Sequence, residues 1–149
     1  MSARAGVAAF FVAVALAVSG CGRSSESAGR FRAQAAHGCA DALGQGAQIR
    51  PPAVPAATAT FLRRGLAVLQ SQLGQLSALR PPNGQAGTFA AAVEALRRET
   101  VILGATVRDL DRGADPLTTI KPLQHRLAPV EAAGDGAWRA LDVPACVSR

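Results

Sequence analysis

Three cysteines, two histidines and ten carboxylates are the side chains of this 149-residue chain from which covalent or metal chemistry could be built. The most suggestive arrangement is His37-Gly38-Cys39, because an imidazole beside a thiol can generate a thiolate nucleophile. On a helix, however, residues two apart point about 160° away from each other, so this pair cannot share a proton there. A metal centre needs several converging ligands, and His37 and His125 are the only imidazoles. Glu-x-x-His and Cys-x-x-Cys-His are absent, and the single methionine is Met1. Gly-rich phosphate loops, Gly-x-Ser-x-Gly elbows and paired catalytic carboxylates are missing as well. The expectation is a non-enzymatic protein with no catalytic residue and no metal site.

Cys21 has a different context. It follows a basic start at Arg4, an apolar run of 14 residues from Ala5 to Val18, and Ser19-Gly20. A bilayer-spanning helix needs about 20 apolar residues, so the run has the length of a signal-peptide core. Val18-Ser19-Gly20-Cys21 resembles a bacterial lipobox, in which diacylglycerol is attached to the Cys sulfur, the chain is cleaved before it, and the new amino terminus can be N-acylated (a palmitate, for example). This predicts residues 1–20 as a lipoprotein signal peptide and Cys21 as the lipidated residue, with no cofactor beyond that covalent lipid. The protein is then held at the outer face of the cytoplasmic membrane, in the cell envelope. Residues 21–30 are small and polar around Gly22-Arg23-Ser24-Ser25 and read as a flexible tether.

With Cys21 lipidated, Cys39 and Cys146 remain, and an exported protein pairs its thiols. A Cys39–Cys146 disulfide closes a loop of 107 residues in sequence separation. In the chain-entropy model that contributes about 4.7 kcal/mol at most.

The elements that must position this bridge are helical, since no segment from Phe31 onward alternates as a strand does. A first helix over about 29–43 places Phe31, Ala35, Cys39 and Ala42 on one face, and Gly44, Gly46 and then Arg50 to Pro55 end it and form an extended connector. A second starts at Thr58 or Thr60, either able to cap it, and runs to Leu79 with the stripe Leu62, Leu66, Leu69, Leu73, Leu76, Leu79. A third, Thr88 to about Arg112, carries Phe89, Val93, Leu96, Thr100, Leu103, Val107 and Leu110 at unbroken 4-3 spacing. Gly113 ends it, and Asp115-Pro116 starts a fourth with the stripe Leu117, Ile120, Leu123, Leu127, Val130, Trp138 and Leu141. Pro122 and Pro129 fall inside that stripe and predict a bend or break. Gly65, Gly74 and Gly104, each costing about 1 kcal/mol in mid-helix, predict close backbone approaches. The fold class is all-α: an antiparallel three- to four-helix bundle over 31–149, closed by one disulfide.

Aromatics are 4% of the chain, and Trp138, Phe31, Phe61 and Phe89 sit on or beside apolar stripes, which makes them core and not sugar-stacking platforms. Charge is the surface feature with functional content. Between Asp41 and Glu94 there is no acid, whereas Arg50, Arg63, Arg64 and Arg80 are all cationic. This face suits anionic headgroups or an acidic envelope polymer as well as simple solvation. Nucleic acid is not an expected partner, because no recognition motif accompanies the net charge of +6.

Phe31-x-x-x-Ala35-x-x-x-Cys39, Leu73-x-x-Leu76-x-x-Leu79-x-Pro81-Pro82 and Trp138-x-x-Leu141-x-Val143-Pro144-x-Cys146 together resemble small exported, lipid-anchored, all-helical proteins of high-GC Gram-positive bacteria. The resemblance covers Phe31 to Cys146 and implies the helical fold and the bridge, with no activity attached. Fifteen Arg against one Lys fit a GC-rich genome. Two functions are compatible with these features. One is an interaction module that binds an envelope protein or polymer at the membrane, and the other is a carrier of an apolar ligand or lipid between the helices.

Overall fold

A computed structural model describes residues 22–147. The expected signal peptide and lipidated Cys21 lie outside them. Four helices account for the described chain: α1 (Gly22–Ala47), α2 (Thr58–Ser77), α3 (Ala86–Asp111) and α4 (Pro116–Ala140). Short 3-10 turns at Pro55–Ala57 and Pro144–Cys146 complete it, and no strand occurs among the described residues. Each helix packs on the next in sequence, and the turn at Pro144–Cys146 returns to α1.

The third helix follows its sequence pattern throughout. All seven stripe residues from Phe89 to Leu110 are buried. Its end is fixed by Gly113, whose φ of 94° is open to glycine without strain. There the Gly113 N–H donates to the Leu110 carbonyl and the Ala114 N–H to that of Asp109, which closes a Schellman cap. Asp115 then caps α4, its carboxylate accepting from the Leu117 N–H at 3.3 Å, with Pro116 in the first turn.

Elsewhere local signals yield, and Leu117, expected on the apolar stripe of the fourth helix, is exposed in the first turn of α4. α1 begins at Gly22, so the stretch expected as a tether is helical, in keeping with its freedom from proline and its Ser, Glu, Ala and Arg content. It also runs past Gly44 and Gly46 to Ala47, tightening at its end through the Gln48 and Ile49 amides before Pro51-Pro52 stops it. Thr58 does not cap α2. It is buried inside the helix, and the Pro55–Ala57 turn leads the chain in without a side-chain cap. Pro122 and Pro129 do not divide α4. They stand seven residues apart on its exposed side, so the carbonyls they leave unbonded face water. Gly65 and Gly74 adjoin no backbone: a Cβ at either would meet nothing within 4 Å, and at Gly104 it would meet only side chains, at 3.6 and 3.7 Å.

The core has two parts. One gathers Phe31, Ala35 and Cys39 of α1 with Leu76, Phe89, Leu96, Trp138, Leu141, Val143 and Cys146. In it Phe31 and Phe89 meet edge to face at 5.2 Å, and Phe89 and Trp138 at 6.1 Å. The other gathers Leu62, Leu103, Val107, Leu110 and Leu123. Asp142, at φ 58°, turns the chain at the end of α4, and its neighbour Val143 donates its N–H to the Trp138 carbonyl. This reversal brings Cys146 to Cys39, and the two form a disulfide with Cα atoms 5.1 Å apart.

Candidate functional site

The feature best suited to holding another molecule lies where α1 leaves the core. Its last two turns offer Ala42, Leu43, Gly46 and Ala47, residues mostly too small to close against α2. On the facing helix Gly65 withholds a side chain where Leu62 and Leu69 supply one. The result is a groove of about 380 Å³, open on one side, walled by these residues together with Val68, Leu69, Gln72 and Leu103. That volume falls in the range of small-molecule sites, about 300–1,000 Å³. Its lining is apolar except for Gln72.

Gln72 is 1% exposed. Its Nε2 donates to the Cys39 sulfur at 3.4 Å, a weak contact, and its Oε1 has no hydrogen-bond partner. An unpaired buried amide oxygen costs about 1–3 kcal/mol, so a leucine would pack here more favourably. The polar residue thus sits against the disulfide at the inner end of the groove.

Neither Gly65 nor Gln72 belongs to the leucine stripe. They do belong to a strict 3-4 register through Leu62, Gly65, Leu69, Gln72, Leu76 and Leu79, and that register is the signal in the sequence that identifies both.

Of the four arginines of the basic face, the structure brings two together. Arg50 and Arg64 line one small cleft at the start of α2. Arg63 is instead held by Asp111 at 2.6 Å, and Arg80 follows the other end of α2. His37 and Cys39 diverge: Cys39 is fully buried in the disulfide, while the exposed His37 ring stands 3.4 Å from Asp41. His125 is exposed on α4. Among the described residues no three His, Cys, Asp or Glu side chains converge, and no helix is long and apolar enough to cross a membrane. Phe31, Phe89 and Trp138 are core, and Phe61 is half-buried against the second cluster.

The Glu94 carboxyl has a displaced pKa. Hydrogen bonds from Arg97 first and Arg98 second hold it below its ordinary value. These are neighbours along one exposed helix face, which is a surface arrangement and not a catalytic one. No family model, curated protein or solved structure matches the chain.

Proposed function

We propose that this chain is a non-enzymatic, lipid-anchored envelope protein whose helices form an antiparallel bundle and whose α1–α2 groove carries an apolar ligand. The observation that carries this reading is the groove itself, an apolar trough kept open by Gly65 on α2 and by Ala and Gly on α1. A domain selected only for stability gains from filling such a space, since each buried methylene contributes about 0.8 kcal/mol. The lipobox-like Val18-Ser19-Gly20-Cys21 supports anchorage at the extracytoplasmic face of the cell membrane. With the lipid on Cys21, the stretch of α1 from Gly22 to Ala42 sets the groove about 30 Å along the helix from the anchor. A lipid on that cysteine is therefore a separate molecule from the one the groove receives.

The test is to extract the protein from membranes, mass it intact without reductant, and analyse what it carries. A chain beginning at Cys21 with added lipid, unreactive thiols and a stoichiometric apolar molecule is the expected result. Gly65→Leu directs a side chain into the groove with no atom in the way of its Cβ. It should lose the molecule while keeping, or raising, its melting temperature. Retention of the molecule by Gly65→Leu would remove the groove from the reading, and an unlipidated full-length chain would remove the anchor.

A further inference from the structure

Next to the groove along α2 is a second opening. This cleft of about 270 Å³ is lined by Arg50, Pro51, Pro52, Ala57, Phe61 and Arg64, among others. Residues three and four apart share a helix face, and Phe61, Arg64, Val68 and Gln72 follow that spacing. The two cavities thus succeed one another along a single face of α2. On the opposite wall the chain passes from Ala47, in the first, to Arg50, in the second, within three residues. At about 1.5 Å per residue, Gln72 and Arg64 lie roughly 12 Å apart along the helix axis.

The two ends of this furrow differ in charge. Arg50 and Arg64 are exposed and make no ion pair among the described residues. No carboxylate lines either cleft. Two guanidinium groups without a counter-charge, at the outer end of an apolar trough, complement a molecule with an anionic head and an aliphatic remainder. The inner volume of about 380 Å³ has room for roughly a dozen groups of ~30 Å³ each, which is one alkyl chain and not two.

Building on the groove reading above, we infer that the ligand is a single-chain anionic amphiphile. Its tail lies between α1 and α2, and its carboxylate or phosphate head lies between Arg50 and Arg64. Arg63 takes no part, since Asp111 already holds it.

Photolabelling of the full lipid-anchored protein in zwitterionic nanodiscs tests this, with diazirine-bearing dodecanoate, dodecyl phosphate and dodecanol as probes. Peptides spanning Gly65 to Gln72 should be labelled roughly tenfold more by an anionic probe than by the alcohol at equal concentration. Arg50→Gln with Arg64→Gln should bring the anionic probe down to the level of the alcohol and leave alcohol labelling unchanged. The stronger of the two anionic probes identifies the head as carboxylate or phosphate. Equal labelling by all three probes in the unmodified protein, or a preference that survives the double substitution, overturns the anionic head and leaves the groove standing. Labelling that Gly65→Leu does not reduce removes the groove reading itself.

Discussion

The two halves of the core are built from the same α2 and α3 but close differently. The half around the disulfide joins all four helices, and its aromatic rings and the bridge leave Ala35, Cys39, Leu96, Trp138 and Cys146 at 0% exposure. The buried members of the other half are aliphatic, drawn from α2, α3 and α4, and α1 contributes none of them. Leu69 packs against both. α1 is therefore fastened in its middle and free of large contacts toward its end, where Ala42, Gly46 and Ala47 face Gly65 across the groove. Tight closure and an open trough follow one another along the α1–α2 pair as the side chains of α1 change from Phe31, Ala35 and Cys39 to Ala42, Gly46 and Ala47.

The largest expected effect comes from cutting the fastening. Cys39→Ala with Cys146→Ala should cost about 2–5 kcal/mol, a melting-temperature fall on the order of 10 °C. Amide exchange should locate the loss in α1. A fall of only a degree or two would mean that Phe31 and Ala35 hold α1 without the bridge.

A smaller contrast separates two leucines of one stripe. Leu76, at 1% exposure, should cost about 2–5 kcal/mol on truncation to Ala. Leu69, half-buried at the groove wall, should cost about half of that or less in urea titration. Equal costs would show the groove closed in solution.

Next is Asp115→Ala, which removes the cap of α4 and should cost about 1 kcal/mol, with exchange rising only near Ile120 and Leu123 in the second half of the core.

The smallest effect is electrostatic and lies on the outer face of the disulfide half. Glu94, with its folded pKa lowered by Arg97 and Arg98, contributes stability that is complete above its unfolded value of 4.5 and is lost as pH falls through the lower folded value. Because the side chain is solvent-exposed, the effect is slight. Glu94→Gln should lower the melting temperature at pH 7 by about a degree or less and flatten its decline below pH 4.5.

The sequence by itself determined the helical class, the α3 register, the Gly113 stop, the Asp115-Pro116 start and the Cys39–Cys146 pairing. Each rests on strong local chemistry: a seven-residue apolar stripe, a positive φ that only glycine adopts freely, a side-chain cap, or cysteine parity. Where the local preference is about 1 kcal/mol or faces water, neighbouring structure overrode it. Gly44 and Gly46 did not end α1, Thr58 did not cap α2, and Pro122 and Pro129 did not divide α4. The α2 register marks Gly65 and Gln72, but the groove itself is decided by the tertiary structure. It consists of small side chains facing one another across a gap, and of a buried Gln72 that meets the Cys39 sulfur only once α1 lies beside α2.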